Sequence, residues 1–156
     1  MTGTAIVLGA GTSPHETYIQ VAGEGQQISV KDLRKAMEAS KSLHSILLKY
    51  VQAFMVQTAH TAIANARAKL DQRLARWILM AHDRVPRNKL PLTHEFLSLM
   101  LGVRRAGVTD ALHDLSSRGL IEAHRGEIIV RNRKGIERHA KESYGGPEAE
   151  YERLFP

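Results

Sequence analysis

The sequence predicts a mainly α-helical protein of the α+β class, in which a few short strands accompany long helices. Apolar residues between about residues 42 and 65 recur at spacings of three and four, which is the helical period. Short runs of β-forming residues, punctuated by glycine, lie near the amino terminus and after residue 119. Aromatic residues make up only 5% of the chain, so we expect helices that pack through aliphatic side chains.

Composition narrows the functional classes. The chain has 156 residues, enough for one medium or two small domains, and it has no cysteine. This composition excludes disulfides, thiolate zinc sites and cysteine nucleophiles. No signal peptide opens the sequence, and no apolar run reaches the ~18 residues that a membrane span needs. We therefore expect a cytoplasmic protein.

The net charge of +6 is concentrated in one part of the chain. Residues 73–140 hold 13 basic and 7 acidic side chains, and the remaining residues are balanced. Such an excess is typical of a surface that binds the phosphates of a nucleic acid. A solvated basic face has the same composition, so charge alone leaves both interpretations open.

The first segment, residues 1–41, is predicted to contain two short strands and one helix. The strands are Thr4–Leu8 and Thr17–Val21, each followed by a glycine-containing turn. Ser29 has the spacing of an N-terminal cap, and we expect its helix to run to about Ala39. Two strands are too few for a self-sufficient sheet.

The second segment, residues 42–69, is predicted to be a long helix followed by a hinge. A helix of this length that is apolar along one side needs a partner. Parallel pairing with a second copy of the chain is the functional interpretation, and folding back onto the rest of the chain is the alternative. The candidate dimer interface consists of Leu43, Leu47, Tyr50, Phe54, Gln57 and Thr61.

The third segment, residues 70–156, begins with a helix over Leu70–His82 and a loop over Val85–Lys89. Thr93 then has the position of a helix cap, Gly102 ends that short helix in a tight turn, and a second helix follows. Two short helices joined by a glycine turn describe a helix-turn-helix, a DNA-reading motif. The residues expected in its core are Leu74, Trp77, Ile78, Leu79, Phe96, Leu97, Met100, Leu101, Val108, Ala111, Leu112 and Leu115.

The outward face of the second helix holds the candidate base-reading residues. They are Arg105, Ala106, Thr109, Asp110 and His113. A recognition helix meets base edges through its N-terminal part, where an arginine can bind guanine O6 and N7 together. We expect Arg105 to carry the main readout, with Thr109 and His113 assisting. A plain helical hairpin with a charged surface is the alternative.

A β-hairpin wing is predicted after the second helix. Leu120–His124 and Glu127–Val130 have the pattern of strands around a turn at Gly126, and Asn132 caps a last helix over about Arg133–Ser143. A hairpin with basic side chains at its tip can lie along a phosphate backbone. The candidate phosphate contacts are Thr93, Arg104, His124 and Arg125.

Enzymatic, metal and cofactor motifs are incomplete in this sequence. Gly9 and Gly11 begin a dinucleotide fingerprint, but Pro14 stands at the third glycine position and no βαβ unit follows. His94 begins a zinc-protease motif, but Ser98 occupies the second histidine position. The eight histidines show no ligand spacing. We expect no catalytic residue, no metal site and no cofactor.

Three stretches of the third segment together resemble the Crp/Fnr family of bacterial transcription regulators. They are Arg73–Arg84, Leu90–Thr93 and Met100–Arg105. A tail with Tyr144-Gly145 and Glu150–Leu154 is similar to that of members of proteobacterial type. The resemblance extends over about residues 14–155 and is strongest from 73 to 130.

The resemblance implies an N-terminal β-roll sensor of the cyclic-nucleotide-binding type, a long dimerisation helix and a C-terminal winged helix. Only the last strands of such a roll fit in residues 1–29, so we expect residues 1–41 to be the remnant of a sensor in an N-terminally shortened member. The strands that would form the effector pocket are absent, and we do not expect a small-molecule effector. The family's base-reading positions fall on Arg105, Ala106 and Asp110.

The expected function is that of a sequence-specific DNA-binding transcription regulator, which binds a palindromic operator as a homodimer, with RNA polymerase as a candidate partner. The best-known members carry an acidic and a second basic side chain where this chain has Ala106 and Asp110, so a different operator is expected. Asp110 either accepts from cytosine N4 or is a solvated charge. The alternative is a shortened, dominant-negative or protein-interaction partner that pairs with a full-length paralogue without binding DNA productively.

Overall fold

The computed structural model describes residues 1–19 and 22–156, which form eight α-helices and three short strands. This confirms the mainly α class. The chain divides into two compact units. Residues 1–57 and 150–156 form the first, named here the N-terminal unit, and residues 58–149 form the second, named the winged unit.

The N-terminal unit is helical where the sequence predicted its first strand. Thr4–Val7 forms helix α1, so the strand predicted for Thr4–Leu8 is wrong. A short apolar run fits one turn of helix as well as it fits a strand. The strand predicted for Thr17–Val21 reaches into residues 20 and 21, which lie outside the described residues, and Thr17–Ile19 form neither helix nor strand.

Two further helices follow the sequence predictions closely. Helix α2 is Val30–Ala39, and the Ser29 hydroxyl caps it by accepting a 3.1 Å hydrogen bond from the Asp32 backbone N–H. Helix α3 is Lys41–Arg67, a run of 27 residues that extends about 40 Å at the α-helical rise. The boundary between the two units falls within α3, at residues 57 and 58.

Four helices and the sheet of the winged unit enclose one apolar core. The helices are α4 (Leu70–His82), α5 (His94–Leu101), α6 (Arg105–Ser117) and α7 (Arg133–Ala140). Trp77, Phe96 and Met100 are only partly buried, whereas the other predicted core residues are buried. The largest fully buried side chains are Leu74, Ile78, Leu79, Leu90, Leu92, Leu97, Leu112, Leu115, Ile121, Ile128, Ile136 and Val108.

A three-stranded antiparallel sheet forms the wing. Its strands are β1 (Lys89–Leu90), β2 (Ile121–His124) and β3 (Glu127–Val130), in the order β1-β3-β2. The predicted hairpin β2–β3 is confirmed, and β3 also pairs with β1 through Leu90 opposite Ile128. Lys89, predicted to end a loop, is therefore part of a strand.

The C-terminal part departs from the predicted single helix over Arg133–Ser143. Asn132 caps α7 as predicted, by accepting from the Gly135 N–H at 2.9 Å. The α-helix ends at Ala140 because Lys141 has a φ of 52°, and Lys141–Ser143 form one 3₁₀ turn. An additional helix, α8, spans Gly146–Leu154. Throughout residues 1–19 and 22–156, each helix is too short or too polar to cross a membrane.

Candidate nucleic-acid interface

Helix α4 anchors the helix-turn-helix. Its Arg73 guanidinium donates to the Leu101 carbonyl at the last turn of α5, and its Nε donates to the Asn65 side-chain oxygen at 3.1 Å. The last carbonyls of a helix have no partner within that helix. Arg73 therefore satisfies one of them and fixes the end of α5 against α4, directly before the turn.

The turn between α5 and α6 has the local chemistry that the sequence predicted. The Thr93 hydroxyl accepts from the Phe96 N–H at 3.1 Å and so caps the start of α5. Gly102 has a φ of 63°, in the left-handed region that costs glycine little. The next amide, of Val103, donates to the Ser98 carbonyl at 3.1 Å. These contacts close α5 and set the direction in which α6 starts.

Helix α6 separates a buried face from an exposed face. Its buried face consists of Val108, Ala111, Leu112 and Leu115. All five candidate base-reading residues, Arg105, Ala106, Thr109, Asp110 and His113, are exposed. Arg104 stands at the N-cap position with extended backbone, so its exposed side chain leaves the helix at the same end as that of Arg105.

A hydrogen-bond chain joins α5 to the exposed face of α6. The Thr109 hydroxyl donates to the Arg105 carbonyl at 3.1 Å, and its oxygen lies 3.0 Å from His94 Nδ1. Since the hydroxyl proton is used on Arg105, the imidazole must donate through Nδ1. Sequence reasoning did not select His94 for this role, because only the folded turn brings it beside Thr109.

The arginines around α6 differ in their partners. Within the described part of the chain, the guanidinium groups of Arg104, Arg105 and Arg125 form neither a salt bridge nor a hydrogen bond. Arg118, near the other end of α6, binds both carboxylate oxygens of Asp114, at 2.9 and 3.1 Å. This pair lowers the pKa of Asp114 and raises the pKa of Arg118. The positive charge at the start of α6 is therefore uncompensated, while that at its end is neutralised.

The wing brings a second basic group close to the start of α5. Gly126, with a φ of 80°, turns the hairpin, and a Cβ built there would lie 4.0 Å from the Thr93 methyl group. Arg125 and Thr93 thus lie in one region. His124 instead faces Glu122 at 3.7 Å, and Glu122 also binds Arg131 at 2.7 Å. The pKa of Glu122 is lowered mainly by its hydrogen bond with Arg131 and to a smaller extent by His124.

The candidate dimer residues lie in varied environments along α3. Phe54 is 44% exposed, and the other five are partly buried. In the N-terminal unit the Tyr50 hydroxyl contacts the amino group and the carbonyl of Met1, at 3.0 and 3.1 Å. In the winged unit the Thr61 hydroxyl accepts from Arg76 at 3.0 Å. A single chain does not test the predicted pairing, which stays a prediction.

Comparison with known proteins agrees with this architecture. A model of the Crp-like helix-turn-helix domain matches residues 72–139. A comparison with curated proteins gives no match. Among solved structures, FixK2 of Bradyrhizobium japonicum is similar with a TM-score of 0.66 and 18% identity, covering 73% of this chain and 60% of that one.

Two further solved structures share the fold. A CooA mutant from Carboxydothermus hydrogenoformans has a TM-score of 0.60 and 18% identity over 72% of this chain and 55% of that chain. A CRP-family transcriptional regulator from Thermus thermophilus has a TM-score of 0.50 and 24% identity over 60% and 49%. The chain thus spans about half the length of these structures. Residues 72–139, within the winged unit, match the Crp-like helix-turn-helix domain, and the fold of the chain is similar to that of these solved structures.

Proposed function

We propose that the chain binds double-stranded DNA sequence-specifically as a homodimer, through α6 in the major groove and the β2–β3 hairpin on the backbone. The observation that carries the proposal is the pair of exposed, unpaired guanidinium groups at the start of α6, Arg104 and Arg105, on a helix whose opposite face is buried. A guanidinium without a carboxylate partner is available to a phosphate or a base edge without first breaking an ion pair.

Arg105 and Arg125 have different roles in this proposal. Arg105 lies in the first turn of α6, the part of a recognition helix that enters the groove, and it binds the guanine edge. Arg125, at the hairpin tip, together with Thr93 and Arg104, binds phosphates. His124 contributes less to phosphate binding than Arg125, because Glu122 lies 3.7 Å from its ring.

The remaining exposed residues of α6 refine the readout. The Thr109 hydroxyl proton is used on the Arg105 carbonyl, so Thr109 offers a methyl group and an acceptor lone pair rather than a donor. A methyl group at this position suits contact with thymine. Asp110 accepts from cytosine N4, and His113 contacts the next base pair. The small side chain of Ala106 leaves space in the groove for the longer side chains on either side of it.

Pairing of α3 with its copy in a second chain supplies the dimer. The helix presents further large apolar side chains to solvent, and a surface of this kind favours association. They are Ile46, Leu48, Met55 and Ile63, which are 53%, 43%, 58% and 53% exposed. Two copies of α6 related by a two-fold axis would read the two halves of a palindromic operator.

The proposed dimer is tested by charge substitution in α3. The double variant Leu47→Lys and Phe54→Lys places two cations on the predicted interface, and we expect a monomer in sedimentation velocity at a concentration where the wild type is a dimer. Lys49→Glu, an exposed charge reversal on the same helix, is the control and should leave the dimer intact. An unchanged dimer in the double variant would place the interface elsewhere.

DNA binding itself is tested by selecting duplexes from a random library at low salt and titrating the selected duplex against a scrambled one. We expect tighter binding to the selected duplex and a steep loss of affinity with salt. A second candidate function, pairing without productive DNA binding, is favoured by the same apolar surface on α3. It replaces the proposal if no duplex binds at low salt while the dimer persists.

A further inference from the structure

Three helices of the winged unit bring a histidine and two carboxylates together. Asp71 lies in α4, Asp114 in α6 and His139 in α7. One ligand atom from each residue lies within 4.8 Å of the others. Because these residues are 43 and 25 positions apart along the chain, the sequence showed no ligand spacing.

The cluster is built into the fold rather than spread over mobile side chains. His139 Nε2 lies 2.8 Å from Asp71 Oδ2, and the two side chains are 15% and 30% exposed. The Asp114 side chain is 39% exposed and is held by Arg118. Each carboxylate oxygen has two acceptor lone pairs, so the pair with Arg118 leaves acceptor sites on Asp114 unused.

We propose that Asp71, Asp114 and His139 form a site for a divalent transition-metal ion, with Zn²⁺ as the probe. Imidazole nitrogen and carboxylate oxygen are both zinc ligands, and three protein ligands leave a fourth position for water. Ligand atoms around a tetrahedral zinc ion lie roughly 3.4 Å apart at bond lengths near 2.1 Å. Side-chain rotations of about an ångström therefore bring the three atoms to coordination distance.

Electrostatics favours a cation at this position. Two carboxylates lie beside one imidazole and one guanidinium, that of Arg118, so carboxylates outnumber guanidinium groups in the cluster. A bound dication would relieve the repulsion between Asp71 and Asp114. It would also fix α4, α6 and α7 to one another, because each helix supplies one ligand. Metal binding of this kind stabilises the folded state in proportion to its occupancy.

Calorimetric titration of the full chain with ZnCl₂ in metal-free buffer tests the site. We expect one Zn²⁺ per chain at the highest affinity, and binding at least about tenfold weaker in each of His139→Gln, Asp71→Asn and Asp114→Asn. His15→Gln, an exposed histidine of the N-terminal unit, is the control and should bind as the wild type does. Absence of binding by the wild type, or equal binding by the three site variants, overturns the proposal.

A second measurement needs no variant and so does not depend on the variants folding. Substoichiometric Mn²⁺ is added to isotope-labelled wild-type protein, and the paramagnetic broadening of each backbone amide signal is recorded. The proposal predicts that amides adjoining Asp71, Asp114 and His139 broaden first. Broadening centred on other histidines or acidic residues contradicts it.

Discussion

The two units of the molecule bury their apolar side chains to very different degrees. The winged unit has a continuous core of 18 buried residues, whereas the buried apolar residues described in the N-terminal unit are Ile6, Val7, Val51 and Ala53. Tyr18, Ile19 and Ile28 of the N-terminal unit are 64%, 82% and 55% exposed. The comparison teaches that the winged unit is held together by its own core, while the N-terminal unit has apolar surface left for a partner.

The largest expected difference between the units lies in their local stability. Residues 22–28 form no helix or strand, so their amides should exchange with solvent almost without protection. Amides of α4, such as those of Ile78 and Leu79, should exchange only on global unfolding, because both side chains are fully buried. Hydrogen exchange followed by mass spectrometry measures both. Protection of residues 22–28 equal to that of α4 would contradict the comparison.

Truncation of a core side chain in the winged unit should lower the free energy of unfolding far more than truncation of a surface side chain in the N-terminal unit. Leu115 is fully buried, and Leu115→Ala should lower the free energy of unfolding by about 2–5 kcal/mol. Leu8 of the N-terminal unit is 61% exposed and lies outside α3, and Leu8→Ala, as the matched control, should change it by less than about 0.5 kcal/mol. Urea unfolding of both variants gives the two values. Similar losses would mean that the N-terminal unit has a core of its own.

A polar network strengthens the winged unit beyond its apolar core. The Tyr144 hydroxyl donates to Asp83 at 2.9 Å and accepts from Arg133 at 2.6 Å, and Arg133 also binds Asp83 at 2.8 Å. Tyr144→Phe should lower the free energy of unfolding by roughly 1.5–3 kcal/mol, since both partners are charged. Tyr151→Phe, an exposed tyrosine in α8, is the control and should have almost no effect.

The same network should give the free energy of unfolding a dependence on alkaline pH. The pKa of the Tyr144 hydroxyl is raised above its ordinary value of 10.0. Burial is the main cause, and the hydrogen bond to Asp83 is the second. A group with a raised pKa contributes stability that is complete below its unfolded pKa and is lost as pH rises through the folded pKa. The difference between wild type and Tyr144→Phe should therefore be constant below about pH 10 and shrink above it. A difference that grows above that pH would contradict this assignment.

Sequence reasoning succeeded where local chemistry decides the structure. Thr93, Gly102 and Asn132 were placed correctly, because a helix cap or a left-handed turn depends on a few neighbouring residues. Sequence reasoning failed where the structure depends on contacts between residues that are far apart along the chain. Lys89–Leu90 becomes a strand only because β3 lies beside it. The cluster of Asp71, Asp114 and His139 was also missed, because its three residues come together only when α4, α6 and α7 pack.

The candidate DNA-contacting residues show the same difference between local features, which the sequence predicts, and long-range contacts, which it does not. The exposed face of α6 followed from helical periodicity, and all five candidates are exposed as their spacing indicated. The partners of these residues did not follow from the sequence. His94 beside Thr109, and Glu122 beside His124, were found only in the folded chain, and both alter which hydrogen bonds the candidates can offer.

The central claim is that Arg105 reads a base and Arg125 binds a phosphate. Both guanidinium groups are exposed and unpaired within the described residues, so they differ only in position, one on α6 and one at the hairpin tip. Base contacts specify a sequence, whereas phosphate contacts position the protein. Each arginine is therefore the control for the other.

The deciding measurement is a titration of Arg105→Ala and Arg125→Ala on selected and scrambled duplexes at several salt concentrations. Arg105→Ala should lose roughly 1–3 kcal/mol on the selected duplex and relax the preference at one base pair of each half-site. Arg125→Ala should weaken both duplexes equally and lower the salt slope by about one per chain. If Arg105→Ala also weakens both duplexes equally, Arg105 is a phosphate contact and the proposed readout is wrong.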